Sequence, residues 1–176
     1  MSDNIVLIGF MAVGKGRTAR ALAGATGRFA VDTDDLIESC LKTSIRDFFA
    51  TQGEPAFRQV EQQVANWLEQ QVRGTIVSTG GGFFRVSNLH QLGTVIYLHS
   101  SLEGILKTIN KHPNAARKIK KRPLLQDMEK ARALFRSRLP LYREAAHHEI
   151  NVEGRRTSDI VLEIQELLHK EGGCHE

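Results

Sequence analysis

Apolar residues in this chain fall into short runs, separated by longer stretches in which they recur every three to four positions. The runs are Ile5–Ile8, Phe29–Asp32, Thr75–Ser78, Val95–Leu98 and a short one near Glu149–Val152. Segments of this length, bounded by glycine and polar residues, predict strands. The stretches between them predict helices. From Lys15 the sequence Lys-Gly-Arg-Thr-Ala-Arg-Ala-Leu-Ala reads as one, and Asp35-Leu36-Ile37-Glu38 opens a second that Asp35 is suited to cap. Ser44-Ile45-Arg46-Asp47 has the form of a capping box with Asp in the acidic place, starting a helix that stops before Gly53. Pro55 then suits a first helical turn, and Val60, Val64, Trp67 and Leu68 recur at helical spacing to about Gln71, which marks Trp67 as a core residue. Strands alternating with helices predict an α/β fold with five parallel strands between layers of helices.

One stretch breaks the rhythm. Lys111–Lys121 is basic, contains Pro113 and Asn114, and reads as a long mobile loop. The tail Glu171–Glu176 reads as frayed. A chain of 176 residues with 41% hydrophobic content can bury a substantial single core and has no room for a second full domain. Cys40 and Cys174 lack disulfide-framework or metal-ligand spacing, and Cys174 with His175 is too small a set for a metal site. No apolar run reaches transmembrane length and Met1-Ser2-Asp3-Asn4 leads straight into a strand, so a soluble, reduced, cytoplasmic protein is expected, with no membrane partner. The net charge of +4 suits anionic small molecules. The basic run lacks the interleaved aromatics of a nucleic-acid surface, and for Arg117, Lys118, Lys120 and Lys121 a solvated charge run is the simpler reading.

In open parallel sheets ligands bind beyond the carboxyl ends of the strands, where this chain is unusually polar. After the first strand, Gly9-Phe10-Met11-Ala12-Val13-Gly14-Lys15 is a phosphate-binding P-loop: its backbone N–H groups surround a polyphosphate and Lys15 reaches the β- and γ-phosphates. The Ser or Thr whose hydroxyl would bind Mg²⁺ is replaced by Gly16. Thr18 lies roughly 200° further round the helix and is a poor substitute. After the second strand come Asp32 and Asp34, which strand alternation places on one side; one carboxylate suits a metal and the other a substrate hydroxyl, while helix capping is the competing account. After the third strand stand Gly80, Gly81 and Gly82, whose entropic cost points to close approach of a ligand or of backbone. Arg58 and Glu61 share a helical face, either as a carboxylate fixing a guanidinium or as a solvated surface pair.

Together these pieces resemble the shikimate kinases, members of the nucleoside-monophosphate-kinase-like P-loop fold. The resemblance runs from Asn4 to about Lys170 and rests on Gly9–Lys15, Asp32-Thr33-Asp34, Gly53-Glu54 with Phe57-Arg58 and Glu61, the triple glycine, Arg122-Pro123-Leu124-Leu125, and Arg138-Leu139-Pro140-Leu141-Tyr142. It implies a three-layer domain over residues 1–170 with a lid at about 111–125 and a flexible tail at 171–176. It implies transfer of the γ-phosphoryl of ATP to the 3-hydroxyl of shikimate by a monomer, with Mg²⁺ as cofactor. Lys15, Asp34 and Arg122 would be catalytic, Asp34 as base and Arg122 as the lid arginine. Arg58 and Arg138 would grip the carboxylate of shikimate, Gly80, Gly81 and Gly82 would line its ring, and Phe57 would pack on it, although core packing explains Phe57 equally well. Ala12, Val13, Gly14, Lys15, Gly16, Arg17 and Arg122 would hold the ATP phosphates. Asp32 would hold Mg²⁺ through water with Ser78 behind it. Arg156, with Arg155 and Thr157, falls where the family contacts adenine, and Lys111 or Arg117 would stand nearest its adenine-stacking arginine. The departures are Gly16, Ala12 in place of a usual glycine, and Arg17 in place of a usual Thr or Ser. They leave two further readings: a catalytically weakened protein that binds nucleotide and shikimate, and a kinase of another small hydroxy acid such as gluconate.

Overall fold

A computed structural model describes residues 3–111, 113 and 123–172. Its five strands are β1 (Ile5–Ile8), β2 (Ala30–Asp32), β3 (Ile76–Ser78), β4 (Thr94–His99) and β5 (His148–Asn151). They form one parallel sheet in the order β2-β3-β1-β4-β5. β1 lies at the centre, and all four of its apolar residues are buried, as a strand covered on both faces requires. The edge strands are less apolar and less buried: β2 is only half-buried, and β5 buries Ile150 alone.

The helices are α1 (Lys15–Thr26), α2 (Thr33–Leu41), α3 (Ile45–Gln71), α4 (Leu102–Asn110), α5 (Met128–Ala145) and α6 (Thr157–Gly172). Short 3₁₀ turns stand at Phe83–Arg85, Leu89–Gln91 and Pro123–Gln126. Side chains cap several of these helices, satisfying N–H groups that have no partner within the helix. Ser44 Oγ accepts from Asp47 N at 3.1 Å, and Ser101 Oγ accepts from Gly104 N at 3.0 Å. In α3, Gly53 adopts φ 79° and ψ 173°, splitting the helix into two segments at a left-handed position that favours glycine. Pro55 opens the second segment, where its missing N–H costs nothing.

Three expectations change. Trp67 is 43% exposed, because the buried stripe of α3 runs through Phe57, Glu61, Ala65 and Leu68, and Trp67 sits about 100° from Leu68 on the helix. Phe29 lies before β2 and is exposed rather than part of the strand. α2 is capped by Asp32, not Asp35: Asp32 Oδ1 accepts from Asp34 N at 3.0 Å and from Asp35 N at 3.4 Å. Among the described residues no helix is long and apolar enough to cross a membrane. The expected loop at Lys111–Lys121 lies, apart from Lys111 and Pro113, outside the described residues, as does the tail from Gly173 onward.

Candidate functional site

The carboxyl ends of β1, β2 and β3 converge, and each delivers a different chemistry. After β1 the chain turns through Gly9–Gly14 into α1. Gly14 is the helix N-cap at φ 110°, and no side chain among the described residues caps the first turn, which leaves its N–H groups available to an anion. Ala12 takes φ 62°, a left-handed value that costs any residue with a β-carbon. The buried Lys15 donates from Nζ to Gly9 O at 2.8 Å and Phe10 O at 3.0 Å, which ties its ammonium to the mouth of the loop. Val13 is buried, and Arg17 is exposed beside Gly14. Thr18 is buried against the sheet and cannot replace the hydroxyl missing at 16.

Asp32 ends β2 and Ser78 ends β3, paired in register across the sheet. Ser78 Oγ donates to Asp32 Oδ2 at 2.7 Å. A β-carbon on Gly16 would stand 3.7 Å from Ser78 Oγ, 3.8 Å from Asp32 Oδ2 and 3.4 Å from Arg20 Nη1. The backbone at Gly16 therefore opens directly onto a carboxylate beside the phosphate loop. That donor set fits a hard divalent ion held largely through its own waters.

Strand alternation does not extend to Asp34, because the chain turns helical at Thr33. The two carboxylates act on each other nonetheless. Burial, reinforced by the charge of Asp32, lifts the Asp34 carboxyl from 3.8 to about 6, against the pull of Lys15. Asp34 thus stands close to a pKa useful for taking a proton from an alcohol near neutral pH.

The glycine turn after β3 packs against these groups. Thr33 Oγ1 accepts from Gly80 N at 3.1 Å, and a β-carbon on Gly80 would come within 2.5 Å of Asp34 Oδ1 and 3.3 Å of Glu61 Oε1. On Gly82 a β-carbon would overlap the Arg58 guanidinium. This guanidinium is clamped by two carboxylates of its own helix: Nη1 to Glu61, and Nε and Nη2 to Glu54 Oε1 at 3.1 and 2.7 Å. Glu61 is 1% exposed, so the pair is an internal clamp and not a solvated surface bridge. Burial raises the Glu61 carboxyl despite the opposing pull of Arg58. Phe57 is buried against Phe49, with ring centroids 4.7 Å apart.

From α5 the buried Arg138 donates through Nη1 to Gly81 O at 3.0 Å. Tyr142 donates to the same oxygen at 2.6 Å. Two buried polar atoms, Glu61 Oε1 and Arg138 Nε, have no hydrogen-bond partner among the described residues. Buried polar groups are seldom left so, and both atoms border the glycine turn where a polar ligand would satisfy them.

Lys15, Asp32, Asp34, Arg58, Ser78, the three glycines and Arg138 are thus brought together. Arg156 stands apart, exposed at the start of α6 with its guanidinium doubly paired to Asp159 at 3.0 and 3.1 Å. Arg155 pairs with Glu163, and Lys111 is exposed at the end of α4. Arg117 and Arg122 lie outside the described residues. Sequence reasoning missed Thr33 and Tyr142 as supports of the turn. Tyr142 shares a helical face with Arg138, a pairing visible in their spacing of four.

A family model described as shikimate kinase matches residues 11–169. The shikimate kinase of Helicobacter hepaticus is 37% identical over 169 residues, covering 96% of this chain and 98% of the relative. That of Paracidovorax citrulli is 39% identical over 178 residues, covering 96% and 93%. Among solved structures, the shikimate kinase from Acinetobacter baumannii in complex with shikimate superposes with a TM-score of 0.84 at 33% identity, over 97% of this chain and 95% of that one. A match of this extent, on a chain whose phosphate loop, paired carboxylates and arginines meet at one sheet edge, means that the protein belongs to the shikimate kinase family.

Proposed function

We propose that this chain transfers the γ-phosphoryl group of ATP to the 3-hydroxyl of shikimate, releasing ADP and shikimate 3-phosphate. The observation that carries the reading is the glycine turn, which brings a carboxylate of raised pKa to within reach of two arginines a few ångströms from a phosphate loop. Arg58, held by Glu54 and Glu61, and Arg138, whose Nε has no partner among the described residues, present planar donor sets that match a substrate carboxylate. Gly80, Gly81 and Gly82 line the ring, and Phe57 supports that side. With the carboxylate anchored there, an acceptor hydroxyl faces Asp34, which accepts its proton as the oxygen attacks phosphorus.

The loop from Ala12 to Arg17 receives the phosphates, and Lys15 turns from the Gly9 and Phe10 carbonyls to balance their charge. Asp32, steadied by Ser78, would hold Mg²⁺ through water. When bound, that ion neutralises charge on the transferring phosphate oxygens. The polar support at Gly16 is weaker than a hydroxyl would give, which favours a modest metal affinity rather than none, because Mg²⁺ commonly retains most of its waters.

ADP release measured with ATP and Mg²⁺, with shikimate, with gluconate or with no acceptor, tests the assignment. Turnover dependent on shikimate is expected. Turnover with gluconate alone would reassign the acceptor. Shikimate binding without turnover at any Mg²⁺ concentration would favour the weakened binding protein that Gly16 suggests.

A further inference from the structure

The carbonyl of Gly81 receives two donors at once, Arg138 Nη1 at 3.0 Å and the Tyr142 hydroxyl at 2.6 Å. Tyr142 is 1% exposed and lies one helical turn after Arg138 on α5. Its ring stacks on Tyr97 of β4, with centroids 5.1 Å apart and planes at 17°, and meets Phe84 edge-on at 4.7 Å. The phenol is thus gripped both by the central sheet and by the segment just after the turn it bonds. Burial pushes its pKa up to about 12, so at neutral pH the hydroxyl keeps its proton and donates.

Gly81 is the middle of the turn. Its outward side faces Arg138 Nη1 and Met11 N, 3.5 and 3.6 Å from where a β-carbon would stand, while its neighbours abut Asp34 and Arg58. One carbonyl therefore sets the pitch of a segment that touches the proposed base, one proposed carboxylate clamp and the phosphate loop. Were Arg138 its sole donor, the same guanidinium would have to hold the turn and the ligand together.

We propose that Tyr142 is a positioning residue for the acceptor: its hydroxyl holds the Gly81 carbonyl, which keeps the glycine turn in place and leaves Arg138 free to direct its remaining N–H groups at the substrate carboxylate. The assignment rests on the acceptor reading above. Tyr142→Phe removes one hydroxyl and keeps the stacked ring. The KM for shikimate should rise about five- to twentyfold, the loss of one buried hydrogen bond, with a smaller fall in kcat because the same turn abuts Asp34, while the KM for ATP stays within about twofold. Phe84→Leu, which keeps the hydroxyl but loosens the ring that carries it, should shift the same KM in the same direction by less, and it decides the matter if Tyr142→Phe does not fold. An unchanged KM for shikimate in a folded variant, or a parallel rise for both substrates, would overturn the role of Tyr142 alone. Wild-type protein assayed alongside separates the two readings, since absence of shikimate turnover there overturns the acceptor assignment as well.

Discussion

Replacing Asp34 by Asn should cost the protein its turnover and make it more stable, with a pH signature that identifies the cause. In the folded chain burial and the neighbouring Asp32 lift this carboxyl from 3.8 to about 6. The folded state consequently binds the proton more tightly than the unfolded state. The stabilisation from protonation is complete below about pH 4 and is lost as pH rises through about 6. The full difference corresponds to about 3 kcal/mol at 1.36 kcal/mol per pH unit, and solvent contact at a half-buried carboxylate reduces it to about 1–2 kcal/mol. Asn carries no charge and escapes this penalty. Urea denaturation at pH 4, 6 and 8 should therefore show Asp34→Asn about 1–2 kcal/mol more stable than wild type at pH 8 and level with it at pH 4. In parallel, kcat/KM of the wild type should fall below about pH 6, and the variant should lose about 10²- to 10⁴-fold in kcat. A variant no more stable at pH 8 than at pH 4 relative to wild type, or an acid limb near pH 4, would refute the raised pKa and the role drawn from it.

Gly16→Ser places a hydroxyl between Asp32 and Ser78, displacing only the flexible end of Arg20, and should tighten the apparent Mg²⁺ affinity about three- to tenfold. A Mg²⁺ titration of fluorescent ADP binding reads this without turnover, and an unchanged curve would remove the metal account of Gly16. Ala12→Gly removes the cost of a left-handed alanine but adds freedom to the unfolded chain, for a net gain below about 1 kcal/mol and a melting temperature about 1–3 °C higher. A lower melting temperature would contradict that reading. Gly80→Ala drives a methyl into the Asp34 carboxylate and should lower kcat by about tenfold or more, with about 1–3 kcal/mol lost in stability; near-wild-type kinetics would show that Asp34 need not hold its place.

The phosphate loop and all five strands were legible because they are local: a short apolar run followed by glycine and lysine states its own geometry. The two-part α3 was legible for the same reason, through Ser44, Gly53 and Pro55. What escaped was decided by partners distant in sequence. Trp67 fits a helical period, but which arc of α3 faces inward depends on the core that Ala65 and Leu68 join. Arg58 and Glu61 look like any surface pair until Gly82 and Gly80 close over them. The cap of α2 was misassigned by three residues because three aspartates in a row of four offer equivalent chemistry, and only the end of β2 picks Asp32. The hydroxyl of Tyr142 reaches across 61 positions to Gly81, a contact no local pattern encodes.

The order of strands also dictates when the phosphate loop can exist. Among the described residues β1 pairs only with β3 and β4, Ile5 lying opposite Ile76 and Thr94, and β2 pairs only with β3. The two strands made first during synthesis therefore have no neighbour until residue 78 has emerged, and the central one lacks its second neighbour until residue 97. Through that interval an entirely apolar tetrapeptide remains without its sheet partners, a condition that invites association with other chains. Such long-range closure makes folding slow relative to helical proteins of similar size. The nucleotide site is thus written near the start of the chain but assembled late, and a fragment ending before β4 should be recovered as aggregate rather than as a smaller folded protein.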